Sequence, residues 1–203
     1  MNDLNIISIL YISFRLAPFI LVSFFSLSSI INQDIKGLIY LSGLLISCFL
    51  AVVIGNTFSG IFEKSGLPED DLYQNTTHVC NLMTLSKSGP LSNLPLSQVV
   101  FTYTFGYLLF VIVKYKLITQ NLPTLIIFPI LILADFMWHS NNNCSKPAAI
   151  LGAIIIGGLT GVFWSYIIDS TKLKKLQYFN GISNKETCSL PSKQLFRCRT
   201  VIK

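Results

Sequence analysis

Charge is scarce in this chain. Asp, Glu, Lys and Arg together make up 12% of 203 residues, and only nine residues are acidic. So little charge, with a mean hydropathy of +0.61, excludes an ordinary water-exposed surface. Histidine occurs twice, as His78 and His139. A metal centre or proton relay at His139 would need more partners than the sequence puts near it, so no metal and no cofactor is expected. Cys188 and Cys198 stand with nine residues between them and no histidine nearby, a poor zinc pattern. Internal repeats and low-complexity tracts are both absent.

What the chain does have is five apolar stretches, at about 6–31, 38–62, 96–113, 122–138 and 148–168. A bilayer core takes about 20 apolar residues per helix, and backbone groups in lipid must be satisfied within the segment. The expected fold is all-α, a polytopic transmembrane helical bundle of five spans. Their length and lack of strict alternation argue against a membrane barrel. The expected organisation is a membrane domain over 1–169, with an outer loop at 63–95, and a basic polar tail at 170–203. The N-terminal Met-Asn-Asp-Leu-Asn lacks the basic region of a cleavable signal, so the first span is expected to stay.

Lysine and arginine near the span ends set orientation. The tail holds Lys172, Lys174, Lys175, Lys185, Lys193, Arg197, Arg199 and Lys203; with the tail in the cytosol, Lys36, Lys114 and Lys116 join it. The outer loops then hold only Lys64, Lys87 and Lys146, and Arg15 lies within the first span. Two glycosylation sequons, Asn75-Thr76-Thr77 and Asn143-Cys144-Ser145, fall on the outer side. Cys80 and Cys144 also lie there, where an oxidising lumen permits a disulfide. Cys48, within the second span, reads as a small packing residue.

Few polar groups enter the spans. Arg15 is expected to snorkel to the outer interface, with contact to a lipid phosphate as the alternative. Asp135, beside Trp138 and His139, reads as interfacial, as does Asp169 at the start of the tail. Gly157 and Gly161 are four residues apart and share a helix face, which lets helices approach closely. Lys172, Lys174 and Lys175 suit anionic headgroups, at about 1 kcal/mol per residue near the surface. The net charge of +6 resides mostly in the tail and does not imply nucleic-acid binding.

Two resemblances add to this. Val53-Ile54-Gly55-Asn56-Thr57-Phe58 with Glu63-Lys64 ends one helix. Pro95-Leu96-Ser97-Gln98 opens another that reads Phe101-Thr102-Tyr103-Thr104-Phe105-Gly106, and a loop leads into the glycine-rich last span. That order resembles the type 2 phosphatidic acid phosphatase superfamily, whose three motifs face one side of the membrane. The resemblance implies a phosphate site in which Lys64 matches the motif lysine and Gln98 stands at the acid histidine. Cys144 falls at the nucleophilic histidine and Ala148 at its aspartate. The family's Arg-Pro would fall near Asp71-Leu72, where it is missing. Phosphoryl transfer of this type needs a nucleophile, an acid and cationic clamps, and here these are replaced. The implied protein keeps the fold and loses the chemistry.

The second resemblance is in the tail. Cys188-Ser189-Leu190-Pro191-Ser192-Lys193-Gln194, then Phe196, Cys198, Val201 and Lys203, is similar to the C-terminus of a membrane protein of large nucleocytoplasmic DNA viruses. It implies residence in a viral inner membrane or a virus-recruited membrane derived from the endoplasmic reticulum. The implied partners are membrane lipids and other viral membrane or capsid proteins. Such viruses commonly carry their own thiol oxidase, so the tail thiols could be oxidised even in the cytosol.

The expected function is therefore a non-catalytic integral membrane component, with a lipid phosphate or pyrophosphate phosphatase-like protein as the alternative and a small transporter or channel behind both. Protease applied to the cytoplasmic face of sealed vesicles should remove residues 170–203; full protection of that segment would invert the topology.

Overall fold

The computed structural model describes residues 6–31, 35–58, 92–141 and 144–171, with side chains from Leu16 onward in the first segment. They form five α-helices: α1 (Ile6–Ile31), α2 (Lys36–Thr57), α3 (Leu96–Lys114), α4 (Leu122–Asn141) and α5 (Pro147–Ser170). A single 3₁₀ turn, Thr119–Asn121, leads into α4. Four of the helices, α2 to α5, are long and apolar enough to cross a membrane, and α1 adds an apolar segment from Leu16 to Ile31. Large apolar side chains such as Phe24, Phe49, Ile130, Leu159 and Phe163 stand exposed along the helices. In water they would be a liability; facing lipid tails they need no protein cover. The protein is a helical membrane bundle.

The helix ends follow from local chemistry. Extended Pro95 precedes α3, and extended Lys146 precedes α5, whose first residue is Pro147. Proline suits that position because its missing N–H would have no partner there anyway. At the far end of α3, the Lys116 N–H donates to the Val113 carbonyl and the Leu117 N–H to the Ile112 carbonyl. Lys116 is left-handed, with φ of 55°, at the position usually given to glycine in this type of helix stop. Leu117, buried to 1% exposure, supplies the apolar contact that accompanies it. Pro18 and Pro129 lie inside α1 and α4, as helices in lipid tolerate.

The helix α3 is the axis of the bundle. It packs along α5, and α2 and α4 flank it on other sides. On α5, Ala149, Ala153, Gly157, Gly161, Ser165 and Asp169 are all buried, one every fourth residue, so a stripe of small residues faces inward. A methyl group added at Gly157 would come within 2.7 Å of the Val99 carbonyl oxygen, and one at Gly161 would collide with the Tyr103 carbonyl. Gly106 answers from α3, where an added methyl would meet the Gly158 carbonyl at 2.6 Å. The two backbones therefore touch directly. Gly158 itself points the other way, into open space.

Polar side chains tie the remaining helices to this pair. The Tyr40 and Thr104 hydroxyls are 2.6 Å apart, and the Tyr103 hydroxyl donates to the Tyr40 carbonyl at 3.2 Å. The Trp164 indole donates to the Ile39 carbonyl at 3.0 Å, and the Ser47 and Thr160 hydroxyls meet at 2.6 Å. Each such bond between membrane helices contributes about 0.6 kcal/mol. Tyr40, Tyr103 and Tyr107 also pack ring against ring, with Phe25 of α1 on Tyr40 at 4.2 Å between centroids.

The glycine contacts make opposite predictions for neighbours. Gly161→Ala should destabilise the protein by about 1–3 kcal/mol, the usual cost of overpacking. Gly158→Ala should be neutral or stabilising by up to about 1 kcal/mol, because alanine favours helix. Thermal unfolding in detergent micelles distinguishes them; equal melting temperatures would contradict the backbone contact.

Candidate functional site

Polar groups concentrate at the two ends of the bundle. At the end where α3 begins and α4 stops, Ser97 Oγ donates to Asp135 Oδ2 at 3.0 Å and lies 3.4 Å from His139 Nε2. His139 Nε2 is 3.7 Å from Asp135 Oδ1, one helical turn away on α4. Both α4 side chains are largely buried. The Cys144 N–H donates to the His139 carbonyl at 3.0 Å, which closes the end of α4. Asp135 and His139 thus belong to the α3–α4 seam, and Ser97 supplies the cross-helix bond.

Although this set contains serine, histidine and aspartate, it is not arranged as a nucleophile relay. Both Ser97 and Asp135 approach the same imidazole nitrogen, Nε2, whereas a relay holds the serine on one ring nitrogen and the carboxylate on the other. The geometry is that of a hydrogen-bonded clasp between two helices.

Gln98 is adjacent and fully buried. Its Nε2 donates to the Ile132 carbonyl of α4 at 3.3 Å, and its Oε1 has no hydrogen-bond partner among the described residues. Pro129 lies three residues before Ile132 on α4.

At the opposite end, Lys114 forms an ion pair with Asp169, and the Tyr115 hydroxyl donates to the other oxygen of that carboxylate at 2.7 Å. The Lys114 ammonium also sits 5.3 Å from the centre of the Phe110 ring. Asp169, expected to begin the tail, lies instead in the last turn of α5 and closes α5 onto α3. Burial, then the hydrogen bond and the charge of Asp169, push the Tyr115 phenol up to about 12.

The residues singled out in the sequence fall unevenly on this frame. Gln98 is in the α3–α4 seam. Cys144 is disulfide-bonded, and Cys48 is a free thiol. Gly157 and Gly161 lie against the α3 backbone. Lys64, Asn75, Cys80 and Asn143 are outside the described residues, as are His78, Cys188 and Cys198. Among the described residues, no group of three or more His, Cys, Asp or Glu side chains is arranged to hold a metal ion. Ser97 was not singled out in the sequence, where it is one serine among many. Only the seam shows its partners.

Scans of protein-family models, of curated proteins and of solved structures each return no match to this chain.

The raised Tyr115 value has a defined sign. The neutral phenol is favoured in the folded state, so its contribution is complete below pH about 10 and is lost as pH rises through about 12. Tyr115→Phe should abolish that alkaline loss of stability, and Asp169→Asn should return Tyr115 toward its ordinary value. Ultraviolet titration of tyrosinate, taken as the difference between the parent protein and Tyr115→Phe, measures both.

Proposed function

We propose that this chain is a non-catalytic integral membrane protein of a viral or virus-recruited membrane. The observation that carries the non-catalytic reading concerns the two positions where the phosphatase resemblance would place chemistry. Gln98 is sealed within the α3–α4 seam at 0% exposure, out of reach of a phosphate group. The Cys144 sulfur is engaged in a disulfide, so it is no free nucleophile. The viral assignment rests on the order and spacing of the tail residues from Cys188 to Lys203.

The disulfide also bears on sidedness. Disulfides persist in oxidising compartments, which supports placing the Cys144 end outside and the Lys114 end, with the basic tail, in the cytosol. Cys144 directly precedes α5 and both tail cysteines follow it, so a membrane-crossing α5 favours Cys80 as the partner. In this reading the bundle anchors the protein, the outer loops stand in the lumen, and the tail meets anionic lipid and viral partners.

The alternative is a lipid phosphate phosphatase, supported by the order of helices. Purified protein should release no phosphate from phosphatidic acid or lipid pyrophosphate, and Lys64→Ala should change nothing. Phosphate release that Lys64→Ala abolishes would overturn the proposal. For the virion role, the protein should be recovered from the membrane of purified particles; strict absence there would remove that part.

A further inference from the structure

The turn that ends α3 holds the one residue other than glycine, among the described residues, with a positive φ: Lys116, at 55°. The helix stop around it is complete. The Lys116 and Leu117 N–H groups cover carbonyls of the last turn, and the Leu117 side chain is buried. Glycine would hold this left-handed position at lower cost, because a Cβ crowds the backbone there. A costly conformation kept at a residue with a long cationic side chain points to a use for that side chain.

The bundle itself makes little use of it. Lys114 already gives the last turn of α3 a cation, and its ammonium is drawn back onto Asp169 and the Phe110 ring. The Asp169 carboxylate is engaged by Lys114 and by the Tyr115 hydroxyl. Lys116 is exposed and forms no ion pair among the described residues. Its depth in the membrane follows from its neighbours. Val113 at the end of α3 and Leu122 at the start of α4 are more than half exposed, as side chains facing hydrocarbon are. Between them Lys116, Thr119 and Gln120 are exposed and polar. The change from apolar to polar exposure falls at this turn, so the Lys116 ammonium stands at the level of the lipid headgroups. Val113, Ile118 and Leu122 lie where the acyl chains begin.

We propose that Lys116 is a fixed contact for the phosphate of an anionic phospholipid, separate from the basic tail. A lysine ammonium is a compact charge with three donors, suited to phosphate oxygens. In a zwitterionic lipid the headgroup's own cation offsets the phosphate, so an anionic lipid is favoured. The contact needs a bilayer around the bundle, and depends neither on the viral reading nor on which side of the membrane the turn faces. It gives the left-handed lysine a reason that glycine could not supply.

The test titrates the full chain, in neutral detergent, with phosphatidylglycerol, with phosphatidylcholine of the same acyl chains, and with inorganic phosphate. Binding is read as the rise in melting temperature. The parent protein should prefer phosphatidylglycerol. Lys116→Gln should weaken that binding about fivefold, as the loss of one surface lysine contact should, and Lys116→Arg should keep it. Lys185→Gln, with the same change of charge in the tail, should weaken it far less. Lys116→Gly should lose the same binding as Lys116→Gln, yet melt no lower than the parent protein without lipid. Equal losses from Lys116→Gln and Lys185→Gln would overturn the proposal, because net charge alone would then account for binding. A lower lipid-free melting temperature for Lys116→Gly would also overturn it, since the cation would then serve the end of α3. So would equal stabilisation by inorganic phosphate and phosphatidylglycerol, which would make the ligand a free ion, or no preference over phosphatidylcholine.

Discussion

Direct contact between the backbones of α3 and α5 is the constraint on which the bundle depends. Lipid tails are as apolar as leucine, so helices in a bilayer gain little from hiding apolar side chains from one another. What remains is close packing and hydrogen bonding. The small stripe from Ala149 to Asp169 brings α5 close enough for Gly106 to lie against Gly158, and for Gly157 and Gly161 to lie against the turns around Val99 and Tyr103. Once α3 is held in this way, the tyrosines it presents at 103 and 107 have α2 to pack on. Thr104 is also in place to meet Tyr40.

The same arrangement explains why α4 behaves differently. It reaches α3 through the Ser97–Asp135–His139 clasp and the Gln98–Ile132 bond, yet it barely contacts α5. A helix fixed on one side and open on the other leaves a groove facing the hydrocarbon. At the other end the Lys114–Asp169 pair with Tyr115 locks α3 to α5.

The helices were legible in the sequence because hydrocarbon imposes one requirement on every segment. An apolar run of sufficient length has no alternative but to satisfy its own backbone. The spans read at 96–113, 122–138 and 148–168 differ from α3, α4 and α5 by three residues or fewer at each end. The second span was placed at 38–62, whereas α2 is Lys36–Thr57, since hydropathy does not register where Phe58 turns the chain. Asp135 and Asp169 read as interfacial in the sequence because their partners, Ser97 and Lys114, lie 38 and 55 residues away in the chain.

Composition and hydropathy by themselves determined that this chain lives in a bilayer as a bundle of helices, because the cost of an unsatisfied backbone in lipid is local and independent of neighbours. Glycine spacing likewise marked the face of α5 that approaches another helix. Only the tertiary structure decided which helix that was. It also decided that Gln98 is sealed in a seam, that Cys144 is spent in a disulfide, and that Gly158 faces a cavity while its neighbour Gly157 faces a backbone. Those outcomes depend on how helices rotate and lean against one another, and no one-dimensional pattern encodes such geometry directly.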